Sequence, residues 1–210
     1  MEIITISDTH TKHEELNQDL PDADMIIHCG DFTSLGREFE IINFMKWYSA
    51  LDQYKYKLII AGNHDWMFET NSQLAKSLIP DNIIYLEDSE IEIEGLNFYG
   101  TPVSKPFFDW AFNRPEDKLK KHWEAIPNHT DVLITHSPPL GILDLVDNNV
   151  GSPSLYHEIF NRLNKNLKLH CFGHIHEGYG EIEFNNLRFI NASNLNRNYK
   201  YTNKPILYEI

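Results

Sequence analysis

Asp24-Met25-Ile26-Ile27-His28-Cys29-Gly30-Asp31 is the stretch whose reading decides the fold. Met25 to Ile27 reads as a buried strand, and Gly30 lets the backbone turn sharply at its end. Asp31 then stands just past the strand, where a carboxylate gains nothing from burial without a partner. Taken alone, Asp31 is a solvated turn residue. As the central ligand of a metal site it needs company at the ends of other strands, and the sequence supplies that company.

Glu2 to Ile6 is a short β-rich run that ends in Ser7-Asp8-Thr9-His10, placing a carboxylate and an imidazole within reach of one point. Lys57-Leu58-Ile59-Ile60-Ala61 runs into Gly62-Asn63-His64-Asp65, which offers a neutral oxygen ligand, a titratable imidazole and a carboxylate to orient it. Asp131 to Thr135 delivers His136, and Lys168 to Phe172 delivers Gly173-His174-Ile175-His176. Each pattern alone arises by chance or as an ordinary turn. Together, five strand-like runs end in candidate ligands, and five of the eleven histidines fall there.

Ligands of open α/β sheets bind beyond the carboxyl ends of the strands, so these residues are expected to converge. Asp8, His10, Asp31, Asn63, His136, His174 and His176 are too many for one tetrahedral zinc site. They suit two divalent ions about 3.5–4 Å apart with one bridging carboxylate. Imidazole and oxygen donors without thiolate favour manganese, iron, zinc or similar ions over a soft-metal site; manganese is expected first, with iron, zinc, cobalt or nickel admitted.

The remaining chain reads as α/β. Ile41, Phe44, Met45 and Tyr48 keep the helical i, i+3, i+4, i+7 spacing across roughly residues 36–50. Short helices are expected at 72–78, at 115–125 behind Pro115, and from Ser152-Pro153 to Leu163. Strands are expected at 83–86, 90–94, 97–99, 181–184, 187–190 and 205–210, and the loss of strand–helix alternation after residue 80 suggests a second sheet of antiparallel strands. His13, His122 and His129 read as surface residues. The aromatic stretch at 107–112 is either a stacking wall for a base or a loop packed by its own side chains. Residues 140–150 read as an ordered loop over the site. No repeat or linker divides the 210 residues, so 1–210 is expected to be one domain.

The net charge of −13 argues against a phosphate-neutralising groove for extended nucleic acid, but not against a small phosphate-bearing substrate held through bound cations. No apolar run approaches the ~20 residues of a membrane span, and no secretory leader precedes the first strand. Cys29 and Cys171 lie in apolar strands and are expected to be free and buried. A cytoplasmic location is therefore expected. Nothing in the sequence sets the oligomeric state.

Asp8-Thr9-His10, Gly30-Asp31, Gly62-Asn63-His64-Asp65, His136 and Gly173-His174-Ile175-His176, in this order, resemble the motifs of the calcineurin-like metallophosphoesterases. Thr135-His136-Ser137-Pro138-Pro139-Leu140-Gly141, His174-Ile175-His176-Glu177-Gly178-Tyr179-Gly180 and Ile190-Asn191-Ala192-Ser193 resemble the metallophosphoesterase-domain-containing branch with brain and fetal-tissue relatives. The resemblance implies an αββα sandwich of two mixed sheets flanked by helices. It implies one metal held by Asp8, His10, Asp31 and His176, and a second held by Asp31, Asn63, His136 and His174, with Asp31 bridging. Some members of the branch carry glycine where His174 stands, so the histidine here implies a fully metallated enzyme. The implied reaction is phosphodiester hydrolysis by a hydroxide bridging the metals, with His64, oriented by Asp65, as the acid and Asn63 and His64 contacting the phosphate. Cyclic nucleotides, 2′,3′-cyclic ones above all, are the implied substrates. A phosphomonoesterase or protein phosphatase is the alternative reaction, and a nucleotide sensor or scaffold with little turnover is the alternative of another class.

Overall fold

A computed structural model describes residues 1–210. Strands β1 (Glu2–Ile6), β2 (Met25–His28), β3 (Tyr56–Ile59) and β4 (Ile84–Tyr85) run parallel in that order. The last strand of the chain, β11 (Ile206–Glu209), pairs antiparallel with β1 at the sheet's other edge. A second sheet has the order β5 (Ser89–Ile93), β6 (Leu96–Thr101), β7 (Val132–Thr135), β8 (Leu169–Phe172), β10 (Leu187–Asn191), β9 (Gly180–Phe184).

The antiparallel second sheet expected from the lost alternation is found only at its two edges. β5 pairs antiparallel with β6 and β9 with β10, whereas β6, β7, β8 and β10 run parallel. The reason is that helices return in the second half, as α4 (Glu116–Glu124) between β6 and β7 and α5 (Pro153–Asn161) between β7 and β8. Such crossovers make neighbouring strands parallel.

Three apolar cores define four layers. Ile3, Met25, Ile27, Leu58, Phe98, Val132, Ile134 and Ile190 meet between the sheets. Ile26, Ile59, Phe44, Met45 and Tyr48 join the first sheet to α1 (Glu38–Ser49), with Phe68 and Ala75 coming from α2 (Trp66–Thr70) and α3 (Ser72–Ser77). Leu133, Phe172 and Phe189 pack against Leu119, Trp123, Leu155 and Ile159 of α4 and α5. The architecture is an αββα sandwich of two mixed sheets. No helix is long and apolar enough to cross a membrane.

Local chemistry fixes the helices. Ile41, Phe44, Met45 and Tyr48 are the buried face of α1, as their spacing demands. The Tyr48 hydroxyl lies 3.0 and 2.9 Å from the carbonyls of Ile26 and Leu58, tying the helix to β2 and β3. Ser152 caps α5 by accepting from the Leu155 amide at 3.2 Å, with Pro153 in the first turn. His13, expected at the surface, is instead buried, edge-on to Phe44 and tilted against Trp47. A short 3-10 turn at His13–Leu16 swings its ring onto α1.

Two buried histidines stand inside the sheets behind the strand ends. The Gly30 amide donates to His28 Nδ1 at 3.2 Å, and His28 Nε2 meets Thr9 Oγ1 at 2.9 Å. His170 Nε2 meets Thr135 Oγ1 at 2.8 Å. Burial pushes both rings down to about 3, so both are neutral in the folded chain. Unfolded, each would take a proton below about 6.5. The sign follows: their contribution is fully present above about 6.5 and is lost as pH falls toward 3. Thermal denaturation of the metal-free protein is expected to show a melting temperature that declines from pH 6.5 to pH 4.5; a flat profile over that window would contradict this reading.

Candidate metal centre

The residues that follow β2, β3 and β8 line a cavity of about 210 Å³, Asp31, Asn63, His64, His174 and His176 among them, and donors from the ends of β1 and β7 stand beside these. Three groups of donors converge there: Asp8, His10 and His176; His10, Asp31 and His64; and Asp31, His136 and His174, each with its donor atoms within 4.8 Å of one another. Asn63 joins the last group, its Oδ1 2.9 Å from His136 Nε2. The structure therefore gathers all seven side chains singled out as ligands, together with His64.

Asp31 stands between the groups. Its Oδ2 is 3.3 Å from His136 Nε2 and 3.8 Å from His10 Nε2, so one oxygen faces both sides. Its other oxygen accepts from the His64 amide at 2.7 Å. Asp8 is fixed by the His174 amide at 2.9 Å and the Ser193 hydroxyl at 2.8 Å, leaving Oδ1 3.6 Å from His176 Nε2.

Three of the imidazoles are turned by backbone carbonyls. His10 Nδ1 faces Thr33 O at 3.2 Å, His136 Nδ1 faces Cys29 O at 2.9 Å, and His176 Nδ1 faces Asn196 O at 3.1 Å. Occupying Nδ1 in this way aims Nε2 inward, an arrangement common at metal sites. His10 Nε2 is buried with no hydrogen-bond partner at all. A buried orphan donor or acceptor costs about 1–3 kcal/mol, and here a cation would use it. The donor set and this orphan fit divalent metal binding.

The backbone is bent to reach this arrangement. Asp8, His10, Asp31 and His174 have φ of 53°, 40°, 58° and 68°, in the left-handed region that side-chain-bearing residues seldom occupy. Such conformations cost on the order of 1–3 kcal/mol each and gather where surrounding contacts force them. The glycines make room for the same packing. A Cβ on Gly30 would lie 2.6 Å from His136 Nδ1, and one on Gly62 would collide with the Asp31 carboxylate.

Burial and charge oppose each other throughout. Burial disfavours the charged form of His136, yet Asp31 and Asp8 raise it to about 9. Burial acts the same way on His176, which its contact with Asp8 also raises to about 9. Burial wins at His10 and His174, which fall to about 4 and about 3. Asp8 and Asp31 resist burial through these imidazoles and stay well below the usual carboxylate range.

Asp65 does not orient His64, contrary to expectation. Its buried carboxylate accepts from the amides of Asp31, Gly62 and Thr33 at 2.9, 2.8 and 2.9 Å, and from the Thr33 hydroxyl at 2.6 Å. It braces the turn that carries Asp31. His64 takes its orientation from Ser34, whose carbonyl lies 2.8 Å from Nδ1, and from Trp110, whose ring stacks 4.0 Å away at 25°. Trp110 is held there by the Ala111 amide, which donates to Asn63 O at 3.1 Å. The aromatic stretch is thus divided: Phe112 is buried, Trp110 covers His64, and Phe107 and Phe108 are exposed.

Sequence reading gave no role to Thr33, Ser34, Ser193 or the hairpin that presents Arg197 and Tyr199 at the cavity, and it placed Trp110 only within the aromatic stretch at 107–112. Ser193 carried a signal, since Asn191-Ala192-Ser193 follows a strand as the ligand motifs do. The others carried none.

The sandwich and its strand-end donors define a metal-dependent phosphoester hydrolase. The sequence profile described as calcineurin-like phosphoesterase matches residues 1–178. Metallophosphoesterase domain-containing protein 1 of Homo sapiens is 36% identical, covering 99% of this chain and 70% of that protein. A UPF0046 protein of Caenorhabditis elegans is 35% identical, covering 100% of this chain and 75% of its own length. One crystal structure superposes with a TM-score of 0.66 at 17% identity over 99% of this chain and 98% of that one, a likeness of fold. The chain belongs to the calcineurin-like phosphoesterases.

An imidazole nitrogen binds metal only as the neutral ring, and the neighbouring carboxylates hold His136 and His176 protonated up to about 9. Titration of the metal-free protein with Mn²⁺ is expected to release protons, with apparent affinity rising from pH 6.5 to pH 9; affinity independent of pH would contradict the pairing. Asp65→Ala is expected to weaken metal binding by freeing the Asp31 turn, measured by the same titration, while a variant that binds as tightly as the parent would show the brace to be dispensable.

Proposed function

We propose that residues 1–210 act as one dinuclear phosphodiesterase unit on small phosphodiesters, with cyclic nucleotides, and 2′,3′-cyclic ones first, as the favoured substrates. The observation that carries this is the Asp31 oxygen shared between two groups of donors. One unit is supported by the inter-sheet core, which joins Ile3 near the start of the chain to Ile190 and Ala192 near its end. In this reading Asp8, His10, Asp31 and His176 hold one divalent ion, and Asp31, Asn63, His136 and His174 hold the other. Oxygen and imidazole donors favour manganese. Two such ions supply an activated water and positive charge facing the phosphoryl oxygens.

The chain's own residues do the rest. Asn63, buried at the cavity, positions the phosphoryl group with its side-chain amide. His64 Nδ1 is committed to Ser34, so Nε2 is the nitrogen left to pass a proton to the leaving oxygen. Trp110 keeps water from one face of that ring. Asp65 acts through the Asp31 turn as a positioning residue. Cys29 and Cys171, both buried and free, support a reducing compartment such as the cytoplasm.

Stripping the protein with chelator and restoring Mn²⁺, Fe²⁺ or Zn²⁺ separately tests the reading. Turnover of 2′,3′-cyclic nucleotides and a generic diester, exceeding that of a monoester and best with Mn²⁺, is expected. Preference for the monoester would point to a phosphomonoesterase, and no turnover of any ester to a sensor or scaffold. His64→Ala is expected to keep both ions by elemental analysis and to lower kcat about 10²–10⁴-fold. Full activity would remove His64 as the acid, and loss of an ion would make it a ligand beside His10 and Asp31.

A further inference from the structure

The metal cavity has a volume of about 210 Å³. A second cavity of about 460 Å³ adjoins it, and Phe107, His174 and Glu177 line both. Phe107, Val146, Val150 and Ile175 are among the side chains lining the second cavity. Phe107 is 55% exposed, Val146 44% and Val150 38%. Apolar side chains left open beside a reactive centre mark a binding surface.

This lining is built in advance. The buried Asp144 carboxylate accepts from the amides of Gly141 and Gly151 at 3.0 and 2.8 Å, closing the 140–151 loop on itself. Asn191 Nδ2 donates to Leu143 O at 3.1 Å and anchors that loop to β10. Lys105 Nζ donates to Gly151 O at 3.2 Å, joining the two sides of the cavity. Asn149 and Glu177 add polar groups to the lining.

We propose that this second cavity holds the organic group of the substrate, and that it selects esters whose organic group is a flat aromatic ring, seated against Phe107, Val146 and Val150. The proposal rests on reading the centre as a phosphoester hydrolase. It narrows the aromatic stretch to Phe107 and takes the rest of the apolar lining from the 140–150 loop, rather than from Trp110 or Phe112. Continuity with the metal cavity favours substrate over a protein occupant, because a ring placed there remains attached to a phosphoryl group beside His174.

Calorimetric binding to the Mn²⁺-loaded protein tests this with inorganic phosphate, ribose 5-phosphate, phenyl phosphate and adenosine monophosphate. The two aromatic esters are expected to bind about tenfold tighter than the two non-aromatic probes. Phe107→Ser and Val150→Asp, both at exposed positions, are each expected to erase that ratio. Equal binding of all four probes, or a ratio that survives both substitutions, would overturn the proposal. Dimerisation abolished by the same substitutions, without any aromatic preference, would overturn it in favour of a second copy of the chain. Failure of inorganic phosphate itself to bind would instead overturn the hydrolase reading, and the proposal with it.

Discussion

Two carboxylates, Asp8 and Asp31, are buried at the carboxyl ends of adjacent parallel strands, and the rest of the site follows from satisfying them. An isolated carboxylate in such surroundings would neutralise by taking a proton. These stay ionised because His136 and His176 stand against them as cations and because backbone amides of His174 and His64 donate to them. The arrangement is stable enough to fold yet leaves His10 Nε2 without a partner. It is incomplete in the manner of a site that waits for a stronger positive charge.

The sandwich makes this convergence possible. Parallel strands of both sheets point their carboxyl ends the same way, so β1, β2 and β3 meet β7 and β8 across the inter-sheet core. Left-handed backbone at four of the donors then turns side chains that would otherwise continue along the strands into a common cavity. The strain is held by rigid neighbours, with Asp65 bracing one turn and Ser193 clasping Asp8. Stability is thus spent locally to hold donors in place before any ion arrives.

Much of this was legible in the chain. Apolar runs ending in polar residues marked β1, β2, β3, β7 and β8, because a buried parallel strand needs continuous apolar residues and its end meets solvent or a site. The Ile41–Tyr48 spacing placed α1 within two residues. What failed to show had physical reasons. The sign of φ at Asp8 or Asp31 is imposed by packing, not by residue type. Asp65 looked like the partner of its neighbour His64, but its hydrogen-bond partners were set by a turn 32 to 34 residues earlier. His13 looked like a surface residue because a single histidine among polar neighbours carries no sign of the 3-10 turn that buries it. The parallel heart of the second sheet was hidden because two edge hairpins supply most of its local signals.

Asp31 began as an aspartate past a strand and now has one oxygen facing two sets of donors. Elemental analysis of Asp31→Asn beside His136→Ala, each purified in Mn²⁺, tests that position most directly. Loss of both ions from Asp31→Asn and of one ion from His136→Ala is the expected result. Two ions retained by Asp31→Asn, or the same single loss from both variants, would contradict a shared carboxylate.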